Sequence, residues 1–591
     1  MNRHGLINCG GAAALVALLG WSASAMADAS EITWASEGYF RTRTVKLTNL
    51  APEDRQEMMY LPAGETVVVP EIRKTSYIMS RFRLMPSVSY GKIAKFSMQM
   101  DGIDDVLWGD NNGVASSPLF ATDGSNQYFL GQHYLYGGDE SPTIAVKRAW
   151  LEFQIPVGVV RIGRMPSHWG MGLLANGGGS GHLDATTPAG KPARRIGDHF
   201  TSEDFGDKHF GSTADRILFV TKPLSIYKTI TKQADTSSNF VMGYAFDVLS
   251  ESPWLLNEGY ERRFRPLGQQ GYISRGANDD VKQHVLLAVY NDPDWEQVRY
   301  TDELRVGFYG VYRTAEQSSQ KPSALDPDQT CGSFEGEDFP CIDTGSKVWI
   351  ADIWWKIRYG TWFTEGELYK IGGTTFGGVP FPGQNNKKKA DIRAGVARFG
   401  YVSDELDGLL ELGHASGDDS LADEDLRQRA IHPDFNVGMI LFEETLREHS
   451  ARTYGVPLAS ETAPQGAYGF FSQGGVINAN YLFPKVRYRP QMAITKSLGL
   501  EVVGGVLMAW ADKLGSTASL FYACAAVCGP GQTASKYLGT EFDLAVRTTF
   551  ANGHMRLGLE TAYLRFGEAL KSQLPNADSS YTVQTSFMFL W

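Results

Sequence analysis

Tyr581-Thr582-Val583-Gln584-Thr585-Ser586-Phe587-Met588-Phe589-Leu590-Trp591 closes the chain, and its residues alternate between two faces. Tyr581, Val583, Thr585, Phe587, Phe589 and Trp591 share one face, while Thr582, Gln584, Ser586, Met588 and Leu590 share the other. A period of two is the signature of a β-strand, because successive side chains leave a strand on opposite sides. One face is large and apolar, rings stand at both ends, and the last residue is a Trp. These are the properties of a strand that crosses a bilayer and leaves its terminus in the interface.

The same strand resembles the C-terminal signal by which outer-membrane β-barrels are recognised, and the resemblance implies the barrel-assembly machinery as a partner. The opposite end reads as an export signal. Arg3 and His4 form a short basic start, residues 12–21 are apolar, and Ala25-Met26-Ala27 offers the small residues a signal peptidase needs. Residues 1–27 therefore read as a signal peptide and residues 28–591 as a single domain. Leu6-Ile7-Asn8-Cys9 looks like a lipoprotein box, but it precedes the apolar stretch instead of ending it, which argues against lipidation at Cys9.

Composition separates a barrel from a helical membrane protein. Hydrophobic residues make up 43% of the chain and mean hydropathy is -0.24. After the signal there is no apolar run of about twenty residues, so no transmembrane helix is available and only a closed barrel is left to span a membrane. Aromatics at 12% suit interfacial girdles, and 64 Gly suit strands that bend around a cylinder.

Connections between the alternating segments switch between short and long. Short turns fall at 89–91, 156–158, 359–361, 402–405 and 551–553. Long polar stretches fall at 48–75, 102–142, 166–213, 250–280, 315–345, 416–474 and 513–535. Turns on one side and long loops on the other are the asymmetry of outer-membrane barrels. The predicted strands lie near 38–47, 76–88, 92–101, 144–155, 159–165, 215–222, 239–249, 281–290, 303–314, 346–358, 362–371, 389–401, 406–415, 475–489, 499–512, 536–549, 554–566 and 579–591. The fold class is all-β: an antiparallel transmembrane β-barrel of about 18 strands, within a range of about 16 to 20, in the outer membrane of a Gram-negative type envelope.

Each strand divides into a lipid face and a lumen face. In 304–313, Leu304, Val306, Phe308, Gly310 and Tyr312 point outward, and Arg305, Gly307, Tyr309, Val311 and Arg313 point inward. Arg or Lys on the lipid face at mid-bilayer would cost roughly 2 to 4 kcal/mol, so charge is expected inside. The inward basic set is Arg81, Arg83, Arg148, Arg161, Arg305, Arg313, Lys356, Arg358, Arg393, Lys485, Arg487, Arg489, Arg547 and Arg556. Its acidic partners are Glu152, Asp352, Glu365, Glu367, Asp391, Glu411, Glu541, Asp543 and Glu560. Basic residues lead in the wall although the chain carries 66 acidic against 55 basic residues, so the surplus acid belongs to loops. Such a ladder reads either as a path for anionic solutes or, more commonly, as a mutually paired charged lumen.

The longest loop contains Phe435 to Leu446, where Val437, Ile440, Leu441 and Thr445 recur at helical spacing around Glu443 and Glu444, so a short helix is expected there. Cys331 and Cys341 fall in one outer loop and Cys524 and Cys528 in another, and local disulfides in an oxidising compartment are the favoured pairing. Acidic clusters at Asp101, Asp104, Asp105 and Asp110 and at Asp418, Asp419, Asp423, Glu424 and Asp425 invite a calcium reading, but neither fits the twelve-residue calcium loop, and solvated acid is the plainer reading. His168, His209, His284, His414 and His554 are scattered, with no GxSxG, HExxH or phosphate-binding loop, so no catalytic, metal or cofactor site is expected.

Ala149-Trp150-Leu151-Glu152, Arg161-Ile162-Gly163-Arg164-Met165-Pro166-Ser167-His168-Trp169-Gly170-Met171-Gly172 and Ala214-Asp215-Arg216-Ile217 resemble a family of outer-membrane barrels without an assigned activity. Asn478-Ala479-Asn480-Tyr481, Pro484, Tyr488-Arg489-Pro490 and Trp510-Ala511-Asp512-Lys513 fit that family too and, more loosely, the polysaccharide-export barrels. The resemblance implies fold and location and carries over no functional residue; Gly163, Gly170 and Gly172 also suit a loop folding at the barrel mouth. With the first strand near Gly38, no plug domain or periplasmic repeat is expected ahead of the barrel. The reading is a passive, porin-like channel for small polar solutes, with anions as the option the basic ladder offers, in contact with outer-membrane lipid and not with nucleic acid. Its rivals are a loop-closed structural or surface-binding barrel and, third, a barrel-embedded hydrolase. Oligomeric state is left open.

Overall fold

The computed structural model describes residues 32–51, 55–58, 66–69, 72–109, 144–178, 205–206, 211–249, 281–292, 303–315, 330–334, 337–340, 346–376, 387–403, 405–419, 423–447, 449–450, 472, 474–490, 498–515, 520–521, 535–571 and 577–591. The expected signal peptide, Cys341, Cys524 and Cys528 lie outside them, as does the side chain of Cys331.

Eighteen strands close one antiparallel barrel. They are β1 (Ile32–Ala51), β2 (Ile72–Tyr90), β3 (Ala94–Gly109), β4 (Ile144–Ile155), β5 (Gly158–Pro166), β6 (Thr213–Thr221), β7 (Phe240–Leu249), β8 (Val281–Asp292) and β9 (Glu303–Ala315). The second half holds β10 (Ser346–Tyr359), β11 (Trp362–Phe376), β12 (Lys387–Val402), β13 (Leu406–Ala415), β14 (Ala479–Tyr488), β15 (Gly499–Ala511), β16 (Tyr537–Phe550), β17 (Met555–Phe566) and β18 (Ser579–Leu590). Every strand pairs with its sequence neighbours, and β18 closes the ring on β1 with Phe40 opposite Phe589 and Thr44 opposite Thr585. All eighteen predicted segments are strands, displaced by a few residues at their ends.

The period-two pattern settles which side meets lipid. Phe96, Ile162, Leu286, Phe308, Ile353, Leu368, Phe399, Phe542 and Leu559 all point out of the cylinder and are exposed. So continuous an apolar belt is stable only against hydrocarbon, and a closed barrel leaves no strand edge for lipid to solvate. The chain is an outer-membrane barrel. Tyr359, Trp362, Tyr401 and Tyr488 stand exposed at the turn end, and the Trp362 and Tyr401 rings meet edge-on with centroids 5.3 Å apart. This is an interfacial girdle.

Departures from the sequence reading are local. The first strand starts at Ile32, not Gly38, because Ile32 to Glu37 continue to pair with β2 (Ile32 opposite Tyr90) after β18 has ended beside Gly38. The connection between β6 and β7 contains a helix, α1 (Pro223–Ile230), which period-two reading passes over. Pro223 opens it with a preset φ, and the Thr229 and Thr231 hydroxyls donate back to the Ser225 and Tyr227 carbonyls at 2.8 and 2.9 Å.

At the loop end the barrel is filled. Inward residues Val311, Ile350, Ile371, Ile392 and Val396 belong to one continuous apolar cluster with Trp169, Met171, Leu173, Phe435, Ile440 and Phe442, which come from two loops folded into the lumen. The rule that charge goes inside fails here for that reason. Asp391 and Arg393 do not face the lumen; they lie outside, 39% and 60% exposed, in an ion-paired group with Lys370 at the outer end of the wall, while their neighbours Ile392 and Ala394 turn inward onto the loops. The Arg164–Asp215 pair, bonded at 2.7 and 2.6 Å, is likewise partly exposed on the outward face near the loop end.

Candidate functional site: a charged lumen crossed by two anchored loops

The first inward loop, residues 167–178, follows β5. Glu367 on β11 accepts the backbone N–H groups of Met171, Gly172 and Leu173 at 2.5, 3.0 and 3.4 Å. Trp169 donates its indole N–H to Asp352 on β10 at 3.1 Å and stacks on Tyr309, ring centroids 5.1 Å apart. Arg148 on β4 holds the loop's end through the Gly177 carbonyl at 2.6 Å.

The second loop lies between β13 and β14. Its expected short helix spans Leu441–Leu446 and is entirely buried. The turn is wide, closed by the Thr445 N–H on the Ile440 carbonyl at 2.7 Å, five residues back. Glu541 on β16 accepts the N–H groups of Met439, Ile440 and Leu441 at 2.6, 2.8 and 2.7 Å, which satisfies donors a helix start otherwise leaves open. Burial pushes the Glu443 carboxyl up to about 8 and raises Glu444 in the same direction; Arg447 pairs with Glu444. The loops also meet each other. His432 N–H donates to the Leu173 carbonyl at 2.8 Å, and Gly211 N–H to Asp434 at 2.6 Å.

Toward the turn end the wall is ionic. Arg83 is bidentate on Asp101 at 2.7 and 2.8 Å; Arg81, beside it on β2, is 1% exposed. Glu152 accepts from Arg161 at 2.5 Å. Arg305 pairs with Glu303, and Lys356 is buried opposite Glu365 in register. Lys485 and Arg398 share Glu411, at 3.3 and 2.7 Å. Arg489 bonds Asp407, and Arg487, Arg489 and Arg547 all approach Glu501, at 3.6, 3.5 and 3.3 Å. Arg547 also bonds Glu560 at 2.7 Å, and Asp543 is buried next to Glu541 in the sequence of β16. Arg313 donates to the Gln283 side-chain oxygen at 3.0 and 2.9 Å, and Arg358 to the Gly360 carbonyl at 3.1 Å. Their charges are met by neutral acceptors. Arg398, absent from the expected set, is inward and 2% exposed; it shares the face of Ile392, Ala394 and Val396, the opposite of the one expected from Asp391 and Arg393.

Of the two acidic clusters, the Asp104 and Asp105 side chains and Asp110 lie outside the described residues; the remaining Asp side chains meet protein cations. Asp101 serves Arg83 and Lys147, and Arg427 reaches Asp418, Asp419, Asp423 and Asp425. Of the scattered histidines, His209 lies outside the described residues, and the others bond their neighbours: His414 to Asn480 at 2.7 Å, His284 to Tyr244 at 2.7 Å, His554 to the Leu590 carbonyl at 2.9 Å, and His168 to the Gly177 N–H at 3.2 Å. Ser212 Oγ lies 2.8 Å from His432 Nε2, the contact a nucleophile and its base would make. His432 Nδ1, however, accepts the Asp434 N–H at 3.1 Å, which assigns the ring proton to Nε2 and makes it the donor. The pair ties the residues just before β6 to the second loop.

No family model and no curated protein matches the chain. Among solved structures it is similar to Pseudomonas aeruginosa OpdK, determined with vanillate, at 9% identity over 94% of this chain and 98% of that one, with a TM-score of 0.40. It is also similar to OccK9 (OpdG) of the same organism, at 9% over 94% and 98% with 0.41, and to a BenF-like porin from Pseudomonas fluorescens Pf-5, at 8% over 94% and 98% with 0.43. At such identities and scores the likeness carries no argument about solute; the fold stands on the strand pairing of this chain.

Proposed function

We propose that the protein is a passive outer-membrane channel for small polar, anionic solutes, its lumen narrowed by the two inward loops. The observation that carries this reading is the closed eighteen-strand wall with charge on its inner face. About eight strands make a cylinder that wall side chains fill, whereas roughly 16–18 leave an aqueous path. Arg313 and Arg358, which face neutral acceptors, are the groups best able to attract an anion, in a field focused by a low-dielectric wall. Most of the remaining ladder is neutralised locally. Arg83, Glu152, Arg305, Lys485, Arg487, Arg489 and Arg547 serve the lumen mainly as an ion-paired wall, and Glu541 holds a loop. Outer-membrane lipid and the assembly machinery acting on β18 are the proposed partners, with small solutes passing through.

The second reading, a loop-closed barrel that binds at its outer surface, is favoured by the apolar cluster that joins both loops across the lumen. Conductance of the folded protein in a planar bilayer separates the two.

A further inference from the structure

Gly-Met-X-Leu occurs in both inward loops, as Gly170-Met171-Gly172-Leu173 and as Gly438-Met439-Ile440-Leu441. The two copies are held in the same way. In each, the leading Gly is left-handed, with φ of +54° and +72°. The next three N–H groups converge on one wall carboxylate, Glu367 for the first and Glu541 for the second. A Cβ on Gly170 would stand 2.5 Å from Glu367 Oε2, and one on Gly438 would stand 2.9 Å from Glu541 Oε1, so both conformation and space demand glycine. Met171, Leu173, Met439 and Leu441 are buried beside these contacts. Neither glutamate forms an ion pair among the described residues. Three convergent N–H groups supply the positive end of the interaction instead, as they do where backbone holds an anion.

We infer that Glu367 and Glu541 are positioning residues of a repeated device, a wall carboxylate that clamps a Gly-Met-X-Leu turn, and that these two clamps hold the loops across the lumen. The glutamates stand on β11 and β16, so each clamp fixes its own loop to a different part of the wall. The effect on solute flow rests on the channel reading above; the clamp itself does not.

Glu367→Ala and Glu541→Gln test it: the three N–H groups at Glu367 all reach Oε2, a contact an amide oxygen would keep, so there the acceptor is removed, whereas Glu541 divides its donors between Oε1 and Oε2 and an amide turns N–H₂ toward one of them. Hydrogen exchange read by mass spectrometry on the full chain in detergent is expected to rise at least tenfold at residues 171–173 in the first variant and at 439–441 in the second. Strand amides should stay protected and the heat-modifiable barrel intact. Gly170→Ala and Gly438→Ala leave the wall untouched and should reproduce the same local release, which keeps the test valid if a glutamate variant fails to assemble. Unchanged exchange at both turns in folded variants would overturn the inference. Single-channel conductance is expected to increase with each release. Faster exchange without any conductance would leave the clamps standing and remove the channel reading alone.

Discussion

Replacing Glu411 with Gln isolates what a buried charge cluster contributes to the wall. The Glu411 side chain is fully buried and accepts from Arg398 at 2.7 Å, Lys485 at 3.3 Å and the Tyr481 hydroxyl at 2.7 Å. The amide oxygen can keep the Tyr481 bond, but two cations, each about 3% exposed at its side chain, lose the carboxylate they share. Removing one partner of a buried pair costs about 3–5 kcal/mol, because the charge left behind remains desolvated. The contacts of Arg398 over the Phe435 ring and Lys485 over the Phe483 ring, at 5.1 and 4.8 Å, persist and soften the loss, which places the expected value at the lower end, about 3 kcal/mol. Glu152→Gln is the internal control: its pair with Arg161 has side chains 32% and 46% exposed and should be worth under about 1 kcal/mol. Urea unfolding in lipid vesicles, followed by tryptophan fluorescence, measures both. Equal losses from the two substitutions, or a Glu411→Gln loss below about 1 kcal/mol, would refute the burial reasoning.

Other expectations follow from the same geometry. Phe589→Asp or deletion of Trp591, whose backbone bonds Gly38 and whose ring stacks on Phe82 at 5.6 Å, should reduce the heat-modifiable barrel in the membrane fraction; undiminished barrel would contradict the assigned role of β18. Leu559→Arg on the exposed lipid belt should destabilise by roughly 2 to 4 kcal/mol, whereas Arg393→Leu at the outer end of the wall should change stability by under about 1 kcal/mol, both read by urea titration. Glu443 takes up its proton more tightly when folded, at about 8 against an ordinary value near 4.5, so its contribution is full below about pH 4.5 and is lost as pH rises to about 8. Exchange at 441–446, corrected for intrinsic chemistry, should therefore speed up across that window and level off above it, and Glu443→Gln should flatten the profile.

The alternation in Leu304 to Arg313 gives both faces of β9 from sequence, and the same arithmetic recovers every strand, because the lipid belt imposes period two along the wall. It misplaces Asp391 and Arg393 since it assumes a wet lumen throughout, and nothing local in 387–402 reveals that apolar loops fill the outer half. The helix at 441–446 shows in its spacing, whereas its burial inside the barrel depends on Glu541, a hundred residues further along the chain. Glu367 and Glu541 were legible as inward acids but not as clamps, because a carboxylate that accepts backbone N–H groups leaves no mark in the pattern of side chains. The repeat of Gly-Met-X-Leu was the available signal. Helix α1 leaves no signal in the sequence pattern because Pro223–Ile230 exposes its apolar residues and buries none, so no core-facing stripe announces it.

Single-channel recording of the purified barrel in planar bilayers tests the central proposal most directly. The expected result is discrete conductance with a preference for anions at low salt. The preference should fade as ionic strength shortens the screening length to below about 8 Å, and should weaken in Arg313→Gln and Arg358→Gln. A folded, heat-modifiable protein that inserts and carries no current under any salt condition would contradict the channel and leave the loop-closed barrel in its place.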